Sequence, residues 1–589
     1  MITLQNFVFP ERRICTEHNL YFRSHGSVGF SESRNELTMS AGSHVRFDTY
    51  FNLLNIGKWN KATSLETLFV ELRGSGQMEL RVVFGLPERS WEILYCETVN
   101  LEVGSPHLID VSHYKELSLR GLIFLEVRVL SDGATFSGGR FATHYEFSEL
   151  PTLAVTITTF KREQQVRETV ERLQAFRDSF AYGNRVHVHV VDNGQSAEVQ
   201  QSDGVTAMNN HNYGGAGGFA RGLLEAENKG FSHCLFMDDD AAFHTENIVR
   251  AYMFMALSTD PRVAVAGAMI NNTHKWAMWE NGAFFDGSCH PLFCGTDLRD
   301  PGQVAGMEFE SAKVRPRTLY GGWWFFAFAV SQVKHHPFPF FVRGDDISFS
   351  LMNDFEICTL NGVVSFQDDF SEKESAQTLY LDLRNHLIHH LVSDDLERSA
   401  LGTGKVAVRF IMRSLLRFHY ESAAAQLLSW QDVMRGPEFF DHNIDMTERR
   451  AKIGSMMKVE VWKDVNADAL TEKRRVTLLS NRMRRWLGLL TLNGHLWPFS
   501  RQRWDRAVLH IGERGLVLPA LGAAQITYLN TTGEKGYTVA QSKTAFFRLT
   551  WQMAKTMVQF LRQYNALKAS YRRGYATLTT RDYWIEKLA

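Results

Sequence analysis

The chain has 589 residues, 44% of them hydrophobic and 22% charged, with 64 Lys plus Arg against 65 Asp plus Glu. That length exceeds one compact core and predicts two to four domains. The near-zero net charge excludes nucleic-acid binding as a property of the whole molecule. No window approaches the roughly 20 apolar residues that span a bilayer, and "MITLQNFVFPERR" lacks the basic start and apolar core of a secretory leader, so the expectation is a cytoplasmic protein.

Residues 1–150 read as β structure. "VRFDTYFNLL", "TLFVELRG", "MELRVVFGL" and "GLIFLEVRVL" are short β-rich runs, several alternating apolar and polar residues, with Gly, Ser, Asn and Pro between them. This spacing predicts an antiparallel sandwich with no catalytic constellation of its own.

From Pro151 the pattern becomes α/β, and a second domain is expected over 151–395. The apolar strand "LAVTITTF", the helical "REQQVRETVERLQAF", the strand "RVHVHVVDNG", a glycine-rich loop, a helix from about Gly217 and the strand "HCLFMDDD" follow one another. Strand and helix in alternation predict a parallel, doubly wound sheet, whose ligands bind beyond the carboxyl ends of the strands. Three polar clusters fall at those ends: Thr158 to Arg162, Asp192 with Asn193, and Asp238–Asp239–Asp240.

From 396 to 589 the pattern is helical and basic, as in "KVAVRFIMRSLLRFHY", "EKRRVTLLSNRMRRWLGLL" and "AFFRLTWQMAKTMVQFLRQY". Such helices either turn a solvated basic face outward from a core or lie on an anionic membrane surface.

Adjacent carboxylates after a buried strand either bind a cation or fan out as an acidic turn. In an extended segment Asp238 and Asp240 share one side and Asp239 the other. The first and third are therefore expected as ligands of Mn²⁺ or Mg²⁺, with Asp239 nearer the sugar. The loop "NNHNYGGAGGFARG" has five glycines but neither P-loop nor dinucleotide spacing; between "VVDNG" and "FMDDD" it suits a nucleotide diphosphate. A second acidic pair, Asp345 and Asp346, can supply a general base for a hydroxyl. Upstream, Trp323 and Trp324 follow two glycines and either fill a core or stack on sugar.

In order, "TTFKR", "VVDNG", "NYGGAGGFARG", "FMDDDA", "WENG", "GGWWFF", "RGDD" and "YLDLRNHL" resemble the inverting family 2 glycosyltransferases of the GT-A fold, more narrowly the mycobacterial-type galactan galactofuranosyltransferases. The likeness extends to "FDTYFNLLNIGKW" and "YATLTTRDYWIEKL" at the two ends of the chain. It implies a GT-A domain with an N-terminal β-sandwich and a C-terminal helical region. It further implies that Thr159, Phe160, Arg162, Asp192, Asn212 and Gly214 face the nucleotide, that Asp238 and Asp240 hold the metal, and that Asp346 is the base. Glu280, Trp323, Trp324 and Asp345 would shape the sugar sites. The implied partners are a UDP-sugar, expected to be UDP-galactofuranose, and a glycan or glycolipid acceptor such as a galactan, O-chain or capsule. Peripheral attachment to the inner face of the plasma membrane and a homo-oligomer are expected with it.

This chain departs from the family where a metal-ligand His is usual: it reads Gln367, Asp368 and Asp369, with Asp368 the expected substitute. Ser348 stands where the family has Glu. The competing readings are another UDP-sugar donor, such as UDP-galactopyranose, and a degenerate transferase that binds without turnover.

Overall fold

The computed structural model describes residues 1–240, 242–368, 373–466, 470, 481–497 and 505–589. Most of the basic run 472–490, and Asp369, lie outside the described residues or their described side chains.

Ten antiparallel strands between Ile2 and Thr143 form two layers that share one long strand, Phe69–Gly85. Its first half pairs with Ala134–Thr143 and His107–Asp110, its second with Leu122–Val129 and Glu92–Leu101. Inward residues of the two layers meet, as where Phe47 packs 5.1 Å from Phe136 and 5.0 Å from Phe7. The alternation in the sequence has this cause: one face of each strand is buried between the layers.

The second sheet runs in the order Val205–Asn209, Val186–Asp192, Leu153–Thr159, His233–Asp238, Phe325–Ala329, Val263–Asn271 and Met278–Glu280, with Glu356–Gln367 also paired to Val263–Asn271. The first four strands are parallel, as expected. Phe325–Ala329 is antiparallel to both neighbours, so the sheet is mixed. That strand comes from the apolar "WWFFAFAV" run and is buried along its whole length.

The helix expected from about Gly217 starts three residues earlier, inside the glycine-rich stretch. The helix Gly214–Asn228 begins at its first glycine, and a Cβ at Gly218 or Gly222 would overlap the side chains of Thr158 or Thr156 on the sheet below. Gly218 and Gly222 let a helix lie close against β-branched residues.

Buried polar contacts join the sandwich to this sheet. Arg250, on the helix Glu246–Ala256, donates to the carbonyls of Asn361 (2.7 Å), Phe51 (2.8 Å) and Asn6 (3.1 Å), and Lys58 pairs with Glu308 at 2.8 Å. Charges so deeply buried persist only when paired in this way.

The C-terminal region is mainly helical, with Ala400–Leu416, Tyr420–Val433 and the 36-residue Lys543–Leu578 packed on Ala376–Val392. It also holds a small four-stranded sheet, which the helical pattern did not announce. Buried residues of Lys543–Leu578 recur three or four apart, from Phe546 through Leu549, Met553 and Thr556 to Leu578, the stripe of an amphipathic helix.

Candidate active site

Strand register assembles the site. Thr159 pairs with Asp192, and Thr158 with Asp238, so three strand ends carry their polar residues to one edge of the sheet. Beyond them Arg162 reaches across to the acidic triplet. Its Nη1 donates to Asp239 Oδ1 at 2.9 Å and lies 2.5 Å from Asp240 Oδ2. Asp238 instead accepts from Gln367 Nε2 at 3.0 Å. Burial, and then the charges of Asp240 and Asp239, push Asp238 up to about 7. Burial also raises Asp239, although Arg162 opposes it.

Asp345 and Asp346 open the helix Asp345–Met352, where free backbone N–H groups favour negative charge. Asp346 Oδ1 accepts from the Ile347 amide at 2.8 Å. Burial nevertheless moves Asp346 up to about 6, and Asp345, buried beside it, is held well above the carboxylate range. Glu280, at the end of a neighbouring strand, is pushed up to about 8 by burial and then by Asp346. Burial thus lifts all three carboxyls, Glu280 further than Asp346, a spread set by their environment.

The turn leading into this helix is strained. Phe341 (φ 75°), Arg343 (φ 72°) and Gly344 (φ 80°) are all left-handed. Side chains of the helix Ala376–Val392 hold it: Asn385 Nδ2 donates to the carbonyls of Val342 (3.1 Å) and Arg343 (2.5 Å), and Arg384 donates to that of Phe340. Strain retained by such contacts is common where a reactive group must be fixed.

Other expected residues fall differently. The Asp192 carboxylate accepts three amides of its own turn, from Gly194 (2.8 Å), Ser196 (2.7 Å) and Ala197 (2.7 Å), so it builds the loop before it can meet a ligand. Asn212 caps Gly214 at 3.1 Å, and Gly214 packs against the Phe341 backbone, which ties the nucleotide side to the strained turn. Phe160 is exposed. Trp323 is not a sugar platform. Its ring packs edge-on to Phe219, Phe236 and Phe349, 5.0–5.7 Å away, because the buried strand that follows carries it inward. Trp324 is also buried and donates to the Gly267 carbonyl at 2.8 Å.

Asp368 is turned outward and accepts from Asn272 Nδ2 at 3.1 Å; its neighbour Gln367 is the residue that faces Asp238. Among the described residues no three carboxylate, imidazole or thiolate groups converge. The donor set therefore suits a divalent ion bound by one or two carboxylates and completed by phosphate and water, not one caged by protein. Gln367 is a site residue that sequence reasoning passed over, although it stands beside the expected ligand position. Asn193, named in the strand-end cluster, donates to the Gly214 carbonyl (3.0 Å), and Asn210, which sequence reasoning missed, donates to Asn193 Oδ1 (2.8 Å).

Residues 154–306, the segment that carries these strand ends and the acidic triplet, match the family described as "Glycosyl transferase family 2". The chain carries a family 2 glycosyltransferase domain. Curated relatives of the chain include the galactofuranosyltransferase GlfT2 of Mycolicibacterium smegmatis, 24% identical over 69% of this chain and 66% of that protein. GlfT2 of Mycobacterium tuberculosis is 22% identical over 94% of this chain and 91% of its own length. Among solved structures, a mannosyltransferase from Pyrobaculum calidifontis, in complex with GDP-Man and Mn²⁺, aligns with 48% of this chain and 75% of its own at 16% identity and a TM-score of 0.29. The GT-A arrangement of the glycosyltransferase domain follows from its own sheet and family.

Proposed function

We propose that the protein transfers galactofuranose from UDP-galactofuranose to a hydroxyl of a growing glycan, with inversion. The observation that carries the chemistry is two acidic clusters close enough that the charge of Asp238 acts on Asp345. One is held by Arg162 and Gln367, and the other opens a helix with no side-chain cap. The donor identity rests on the likeness to the two mycobacterial enzymes.

In the reaction the acceptor oxygen attacks the anomeric carbon. As that bond forms, the bond from the carbon to the diphosphate oxygen breaks, and the hydroxyl proton passes to Asp346. Glu280, protonated near neutral pH, donates a hydrogen bond without adding charge. Arg162 holds Asp239 and Asp240 in place. Asp238 and Asp240 would hold a divalent cation, which when bound offsets the charge of the departing diphosphate.

Attachment to a membrane surface fits the outer face of Lys543–Leu578. Phe547, Trp551, Val558 and Leu561 are exposed there with Arg548, Lys555 and Arg562 between them. An apolar stripe among basic side chains suits anionic lipid. Among the described residues no helix is long and apolar enough to cross a membrane.

The test is a product assay with Mn²⁺ and either UDP-galactofuranose or UDP-galactopyranose, using a galactofuranosyl acceptor. Transfer from the furanose alone supports the proposal. Transfer from the pyranose alone overturns the donor and keeps the chemistry. Binding of UDP with no turnover from either donor would favour the second reading, a non-catalytic binder, for which the motive is that Arg162 and Gln367 already occupy oxygens of the triplet.

A further inference from the structure

The transfer chemistry leaves unused a cleft of about 630 Å³ between the sandwich and the catalytic domain. Its floor is the strand Ile2–Asn6 with the helices Glu163–Ser179 and Glu246–Ala256, and buried contacts preform it. Glu246 accepts from the Asn6 amide (2.6 Å) and side chain (2.7 Å), and Tyr21 OH meets His244 Nε2 at 2.9 Å.

The lining has two characters. On one side lie the half-buried rings of Phe180 and Tyr182, fixed by stacking on Phe176 (5.1 Å) and Tyr252 (5.9 Å). On the other are Thr3, Glu11, Glu32 and Asn35. The lining charges are paired within the protein: Arg140 with Glu71 at 2.6 Å, Glu32 with Arg12 at 2.8 Å, Glu246 with Arg250 at 3.3 Å, and Glu11 3.7 Å from Arg172. A cleft whose cations are already committed offers no counter-charge to phosphates, nucleotides or anionic lipid. No metal-ligating trio converges there among the described residues. What remains is a neutral, hydroxyl-rich ligand, whose C–H faces pack on aromatic rings and whose hydroxyls donate to carboxylate and amide oxygens. A preformed cleft of this size at a domain junction is the usual setting for such a ligand.

One helix connects this cleft to the transfer site. Arg162, just before Glu163–Ser179, grips the acidic triplet; Thr169 Oγ1 donates to the Asp239 carbonyl at 3.2 Å; Ser179, at the far end, lines the cleft. At about 1.5 Å per residue, Ser179 lies roughly 15 Å from Thr169 along the helix. We infer that the cleft is a second saccharide site, which holds an already built stretch of the acceptor glycan while its end is extended at Asp346. This rests on the reading of the protein as a glycan-extending transferase.

The experiment compares galactofuranosyl disaccharide and octasaccharide on the full chain, by calorimetric titration without donor and by KM in transfer. Ser179→Trp fills the cleft from its exposed rim, and Tyr182→Ala removes one ring face. Both variants are expected to weaken octasaccharide binding and raise its KM about tenfold, with disaccharide KM and the melting temperature of Ser179→Trp unchanged. Equal loss for both lengths, or no loss for either, overturns the site, as does an octasaccharide that fails to bind the unaltered protein. If neither acceptor is extended but octasaccharide binding is lost in Ser179→Trp, the proposed function falls and the cleft stands.

Discussion

The two acidic clusters use one residue type for opposite ends. Asp238–Asp240 is met by a guanidinium and a carboxamide from other strands. Asp345 and Asp346 have helix amides and the more distant charge of Arg343, and the charge of Asp346 is felt at Glu280. Arg162 gives Asp239 and Asp240 a counter-charge, whereas Asp238, met only by a neutral carboxamide, is lifted by burial to about 7, no less than Asp346 at about 6. Burial is common to both clusters, and what separates them is the guanidinium. The difference lies in the neighbours and not in the carboxylates.

Removing the proton acceptor gives the largest expected effect. Asp346→Asn should lower kcat by about 10²–10⁴-fold with UDP affinity intact, measured by product formation and by titration with UDP. For the unaltered protein, kcat/KM should fall as pH drops through about 6, where Asp346 takes up its proton, and fall again above about 8, where Glu280 loses the proton it holds. Glu280→Gln should abolish the alkaline limb and keep the acid one. An unchanged profile in that variant would end the division of roles between the two.

The opposite cluster should respond in binding. Arg162→Ala frees two carboxylates to repel each other and the diphosphate. Donor KM should rise about 10- to 100-fold, equivalent to roughly 1.5–3 kcal/mol for a lost charged hydrogen bond, and Arg162→Lys should recover part of it. A fall in kcat at constant KM would instead mean that Arg162 acts in the chemical step, and the contrast between the clusters would blur.

Much of this was legible beforehand, and for a physical reason. Strand periodicity, the strand–helix alternation and the positions of polar residues at strand ends are local patterns, and they place Thr159, Asp192 and Asp238 without knowledge of the rest of the fold. What was not legible depends on contacts between distant segments. Trp323 reads equally well as a platform or as core until Phe219, Phe236 and Phe349 are seen around it. The exchange of Asp368 for Gln367 depends on which way the last residues of Glu356–Gln367 turn. The cleft beside Tyr182 exists only because the first strand of the chain lies on two helices of the second domain.

The glycine-rich segment sharpens this point, because its composition suggested a loop that binds phosphate leading into a helix, and the helix takes in all five glycines and presses onto the sheet. The two explanations predict different outcomes for a small substitution. If Gly222 were there for backbone freedom near a ligand, Gly222→Ala would impair donor binding and leave stability alone. In the observed packing a methyl group at Gly222 meets the Thr156 side chain, and Gly222 is an ordinary right-handed helical residue with no positive φ. Overpacking of that kind costs about 1–3 kcal/mol, more than the gain of under about 1 kcal/mol from replacing glycine with alanine inside a helix. The melting temperature of Gly222→Ala should therefore fall. Thr156→Ala removes the obstructing atoms and should restore most of the loss in the double variant, although alone it is neutral or mildly destabilising. The coupling between the two positions, measured by a double-mutant cycle, separates steric fit from ligand contact: a coupling near zero would return the glycines to the role their composition first suggested.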